Sequence, residues 1–153
     1  MTYGKFSAAL LSLSLVGLMT GGAQASAAAT ENDPFVMVID AGRLGVMMDQ
    51  SRQILGIPET SPTDSTATFA VLKSAVMSYQ QLKPIACARG RVAQVQCADT
   101  WQPVWTGEAD DAVMPDTVLR ARIDEAGEHI MGLWSALCDT LPKDHDPALC
   151  QLE

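Results

Sequence analysis

Three stretches of the chain place apolar residues at steps of three and four, the period of a helix with one buried side. The clearest follows Pro115, where Leu119, Ile123, Ala126, Ile130, Leu133 and Leu137 advance by 4, 3, 4, 3 and 4. A second stripe, Met131, Trp134 and Cys138, runs beside that seam, and Pro142 stops the pattern just after Leu141. Earlier, Ser61 reads as an N-cap with Pro62 at the first helical position and Asp64 near the positive end of the helix dipole. Phe69, Leu72, Val76, Tyr79 and Leu82 then line one face, and Pro84 reads as its end. Ser65, Thr66, Thr68, Ser74 and Ser78 are modest helix formers, so packing has to hold this element. The first stretch opens with Asp33-Pro34 and carries Met37, Ala41, Leu44, Met48 and Leu55 to a stop at Gly56. Gly42 and Gly45 fall inside it, and FVMVI at 35–39 would also suit a buried strand.

Residues 84–114 lack such a period. They hold two cysteines in CARGRVAQVQC (87–97), the run WQPVW and the acidic GEADD. Alternation in RVAQVQ allows a short hairpin at 88–96. A stretch this long without helix or strand is uncommon in a compact domain unless it is braced or functional. The pattern therefore predicts a mainly α protein. About three long helices form a small antiparallel bundle over 33–153, a single domain with a cross-linked loop.

The N-terminus changes where such a domain would live. Lys5, the apolar run from Phe6 to Met19 and Ala23-Gln24-Ala25 have the layout of a secretory signal peptide cleaved after Ala25. The run is too short for a spanning helix, which needs about 20 residues. Cleavage would leave 128 of the 153 residues, with 26–32 expected to be a disordered new terminus, and the location would be periplasmic or secreted. It would also remove one of ten basic residues and no acid, taking the net charge from −8 to −9. So acidic a domain repels nucleic acid and anionic lipid. The charge is uneven: no acid occurs between Ser65 and Ala98, whereas Glu108, Asp110, Asp111 and Asp116 follow closely.

Export decides how the cysteines are read. Cys87, Cys97, Cys138 and Cys150 form an even set in the mature part, which implies disulfides. Zinc-type C-x2-C, redox C-x-x-C and haem-type C-x-x-C-H spacings are missing. Of three pairings, the two local ones, Cys87–Cys97 and Cys138–Cys150, suit turns best. CARGRVAQVQC thus reads as a staple.

Candidate chemistry is sparse. Glu125 and His129 stand one helical turn apart with Asp124 and Glu128 nearby, the spacing of a helix metal site or an acid/base pair. A helix metal site of the di-iron kind needs Glu-x-x-His on two helices, and no second Glu/His pair exists here; these positions also border the apolar seam, so a solvated acidic face explains them better. His145 within DHD suits a polar turn before Pro147. Six methionines outside the signal show no clustered copper pattern, and nucleophile elbows and phosphate-cradling glycine loops do not occur. No cofactor is implied.

Recognition is the better-supported class. Trp101 and Trp105 sit in a braced loop with Arg89 and Arg91, and Trp and Arg are the commonest interface anchors. The competing role for the tryptophans is to cap the open end of a small core. The sequence thus predicts a non-catalytic binding or inhibitor-like envelope protein that meets an unidentified protein or small ligand through residues 87–105. A small metal-dependent or acid/base enzyme using Glu125, Glu128 and His129 is the alternative. A homo-oligomer would use Met131 and Trp134 as its seam.

Overall fold

A computed structural model describes residues 33–56 and 62–151. The expected signal peptide, the polar stretch 26–32 and the Ser61 cap lie outside the described residues.

Helix α1 spans Pro34–Ile54. Asp33 starts it twice over: its carboxylate accepts the Phe35 N–H at 2.9 Å, and its carbonyl accepts the Met37 N–H at 3.1 Å. Pro34 needs no donor there. The strand alternative for 35–39 is thereby excluded. From Met37 the buried positions include Ala41, Leu44, Met48, Ser51 and Leu55, which repeat the 4, 3, 4, 3, 4 steps, with Val38, Gly42 and Gly45 buried beside them. Helix α2 spans Pro62–Ala88, and its buried stripe includes Phe69, Leu72, Val76 and Tyr79. Helix α4, Asp116–Asp139, buries all six residues of its sequence-predicted seam. Three helices with one common register can share a core, and each large, fully buried side chain contributes about 1.5–3 kcal/mol as an upper bound.

Two local expectations are corrected. Pro84 does not end α2, which continues for one further turn. Proline removes only its own N–H, and Pro84 sits on the exposed side, where water can serve the carbonyl left over. The true stop is Gly90, at φ 65°. Its N–H bonds the Cys87 carbonyl at 3.0 Å and that of Arg91 bonds Ala86 at 2.9 Å, a Schellman ending that only glycine adopts without strain. The hairpin allowed at 88–96 does not form either. Val92 turns into the core, and Gln94–Cys97 closes as a single helical turn, α3. No strand occurs among the described residues. Both local disulfides, Cys87–Cys97 and Cys138–Cys150, are formed.

The topology follows from who meets whom. Arg52, near the end of α1, bonds Asp124 in the first half of α4 at 2.7 Å, while Val38 and Gly42, early in α1, share a hollow with Trp134 near the end of α4, so these two helices are antiparallel. Ser65 near the start of α2 bonds Asp116 at the start of α4, while Tyr79 faces His129 further along both, so α2 and α4 are parallel. The end of α2 and the start of α4 therefore lie at opposite ends of the bundle. A 27-residue helix is about 40 Å long. Residues 89–115 make that return journey, and this is why the sequence needs a long aperiodic stretch.

The crossover runs down the furrow between α2 and α4. Reading forward along it, Cys97 is tied to Cys87, Asp99 to Lys83 and Trp101 to Tyr79; Trp105 then reaches Phe69. It thus serves as a fourth stave. Its acids meet the basic stretch of α2: Lys73 bonds Asp110 at 2.6 Å and the Glu108 carbonyl, while Arg122 of α4 holds the Glu108 carboxylate with both terminal nitrogens, at 2.8 and 2.9 Å. The opposite charges separated in the sequence are paired across this furrow. After α4, Leu141 is buried, and the 3-10 turn Pro147–Cys150, capped by Asp146, lies against α1 and α4. Among the described residues no helix is long and apolar enough to cross a membrane.

Candidate functional site

Halfway down the crossover, side chains from three elements meet. Tyr79 and Lys83 come from α2, one turn apart on the side facing the crossover. Glu125 and His129 come from α4, also one turn apart. Asp99 and Trp101 are set between them by the chain leaving α3, where the Trp101 N–H bonds the Asp99 carboxylate at 3.2 Å.

The Trp101 indole lies flat on the His129 imidazole, with centroids 4.3 Å apart and planes 12° from parallel. Tyr79 meets Trp101 edge to face at 5.6 Å. The indole Nε1–H donates to Glu125 Oε1 at 2.8 Å, so the ring is fixed by a stack, an edge contact and a charge-assisted hydrogen bond. Asp99 holds the polar half together. Its Oδ2 lies 3.1 Å from His129 Nδ1 and 3.2 Å from Lys83 Nζ, and its carbonyl accepts from Lys83 at 2.7 Å. An ionised carboxylate only accepts, so the His129 contact requires the proton on Nδ1. The Lys83 side chain is 13% exposed, and its Nζ sits 5.6 Å from the Tyr79 ring centre.

These contacts displace two ionisations. Burial works against charge on Asp99, but the hydrogen bond and charge of Lys83, the Trp101 N–H and His129 outweigh it and hold the carboxyl below its ordinary value. Burial pushes the Tyr79 phenol up, with Lys83 opposing.

Two hollows flank the Lys83–Asp99 bridge. One, of about 600 Å³, lies open beside Trp101, with Gln80, Pro84, the Cys87–Cys97 bridge and Pro103 along its walls. The other, of about 240 Å³, is bounded by Val92, Val95, Glu128, His129 and Leu133. Comparisons with protein-family models, curated proteins and solved structures find no match for this chain.

The structure brings together residues that the sequence suggested separately. Trp101, from the recognition loop, is stacked on His129 and bonded to Glu125, both from the helix considered for metal or acid/base work. Trp105 lies apart from them, 7% exposed, with its ring 6.2 Å from Phe69 and under the Arg122 guanidinium. It is a core residue by position. Arg89 is exposed at the end of α2. Arg91 is half-buried: its carbonyl accepts from Thr140 at 3.0 Å, and its Nε is buried with no hydrogen-bond partner among the described residues. Neither arginine lines either hollow. Glu125, Glu128 and His129 do not converge, and no group of three potential metal ligands forms among the described residues. His145 is on the tail, bonded to the Pro142 carbonyl at 2.7 Å.

Sequence reasoning passed over Tyr79, Lys83 and Asp99. Tyr79 reads as one more seam residue, and Lys83 and Asp99 stand 16 positions apart on elements whose mutual register no local pattern reveals. The one usable hint is that Asp99 is the first acid after a long acid-free stretch rich in lysine and arginine.

Proposed function

We propose that this chain is an exported, non-catalytic binding or inhibitor-like protein of a bacterial-type periplasm or the cell exterior. It recognises its partner through the crossover between Cys87 and Trp105. The observation that carries the reading is a contrast within that segment. It is fastened by a disulfide, the Lys83–Asp99 bridge, the Trp101 stack and the buried Trp105, yet it presents Val104 at 94% and Val95 at 79% exposure. Large apolar side chains held out on a rigid support lose little entropy on binding and leave water favourably. Trp101 beside the open cleft supplies the aromatic anchor. Trp105 acts as the brace beneath.

Two disulfides, together with the signal-like N-terminus, support export. The acid/base alternative has one observation in its favour, since a carboxylate on imidazole Nδ1 is how a general base is oriented. Against it, the His129 ring is covered by Trp101, Glu125 is committed to the indole, and no free cysteine is present among the described residues.

The test is capture from an envelope extract by immobilised protein. Val104→Asp together with Val95→Asp is expected to abolish capture of any specific partner while the thermal transition stays within a few degrees of the parent. Undiminished capture by this double variant would refute the reading.

A further inference from the structure

The Trp101–His129 stack is a partition. Trp101 lines the hollow of about 600 Å³ and His129 the one of about 240 Å³, and neither residue lines the other's hollow. With His129 on one face of the indole, the second face is the one turned to the larger cleft. Tyr79 does not cover it: the centroid separations of 4.3, 5.6 and 6.5 Å put a nearly right-angled corner at Trp101, so Tyr79 lies off the indole's edge. The ring is held still by the Glu125 hydrogen bond and by the imidazole behind it. A flat aromatic face thus forms part of the wall of a cleft whose volume falls within the roughly 300–1,000 Å³ of small-molecule sites.

The rest of the wall says what sits on that face. Lys83 and Asp99 are its charged residues among those described, and they bind each other, so the cleft offers an incoming ligand no unpaired charge. Gln80, Thr100 and Gln102 supply two amides and a hydroxyl, and among the described residues no hydrogen bond engages these three side chains. Each amide has two donors and an acceptor, and the hydroxyl can do either. A charged ligand would leave its charge unanswered here, and an anionic one would also meet a chain of net charge −8. A purely aromatic ligand would cover the indole but strip water from the amides without pairing them. An extended peptide has its own backbone to satisfy, and no strand edge occurs among the described residues to do so. A pyranose with equatorial hydroxyls meets both demands. Its axial C–H bonds form flat apolar faces that suit the negative face of the indole, and its hydroxyls project outward to neutral donors and acceptors.

We propose that the cleft beside Trp101 binds a neutral oligosaccharide of equatorially substituted pyranose rings. One ring stacks on the free face of the indole, and Gln80, Thr100 and Gln102 bond its hydroxyls. This rests on the reading of the crossover as the recognition surface and narrows the partner to a glycan.

Isothermal titration of the purified protein with cellotriose and with the β-linked trimer of N-acetylglucosamine tests it, with submillimolar binding of at least one expected. Saturation-transfer NMR should place the strongest contacts on the axial ring protons of the bound sugar. Trp101→Ala should weaken binding by about tenfold or more. That change also loosens the crossover, so Gln102→Ala supplies a second variant. Its side chain is exposed, and its loss should weaken binding severalfold while the thermal transition stays unchanged. Binding undiminished in both variants overturns the proposal. So does a parent that binds neither trisaccharide at millimolar concentration, or one that prefers a proline-rich peptide to both. If the parent binds neither sugar yet captures an envelope protein that the Val95→Asp/Val104→Asp variant fails to capture, the glycan alone is refuted. If it captures nothing, the recognition surface is refuted with it.

Discussion

Trp101 and Trp105 are four residues apart and have different work. Trp105 is packed under Arg122 and against Phe69, and its truncation removes a buried ring from the core. Trp105→Ala is expected to cost about 3–5 kcal/mol of stability, read from the midpoint of a urea titration. Trp101 is fixed from the side, by His129, Tyr79 and Glu125, beside an open cleft. The sequence shows two tryptophans in a proline-containing loop and therefore permits both anchor and core roles for each. Which role falls to which depends on how far the crossover has slid along α2 and α4, and that register is set by contacts distant in sequence.

Elements were legible wherever a period or a stop signal acts locally. The α4 seam needed only its spacing, and Asp33-Pro34 marked the first turn of α1. Pro84 misled because proline forbids a donor rather than a helix, while Gly90, six residues later, supplies the one positive φ the ending requires. The Cys87–Cys97 disulfide ties that last turn to α3. Replacing both cysteines by alanine is expected to lower stability by about 2–4 kcal/mol. Hydrogen exchange should show the loss concentrated in residues 85–97, with the 119–137 seam still protected. Equal loss of protection throughout would mean that the staple holds more than its own end of the bundle.

At the scale of the whole molecule, fold class was readable and chain path was not. Helix number and buried stripes follow from periodicity, but nothing local says that α2 and α4 run parallel. The clue is indirect: basic residues gathered before Ala98 and acids after it become ion pairs once the crossover returns along α2 and α4. Those pairs set the pH response. Hydrogen bonds from Arg122 hold Glu108 below its ordinary 4.5, and Lys83 with its neighbours holds Asp99 below 3.8. Lowered folded values mean that the native state binds fewer protons. Their stabilisation is therefore full above those ordinary values and is lost as pH falls through the folded ones. Tyr79, raised above 10.0, acts oppositely: its contribution is present below pH 10.0 and disappears in stronger base. Urea midpoints should be flat near neutrality and fall at both extremes. Asp99→Asn should make the acid decline shallower.

The arrangement of partners also dictates when folding can finish. Among the three long helices, α1 shares its largest contact with α4 and its next largest with α2, while the direct contact of α2 with α4 is the smallest. A chain emerging from its N-terminus therefore holds a hairpin of two helices with one side bare until α4 arrives. Closure of the core is left to α4, so the helix that comes first waits longest for its main partner.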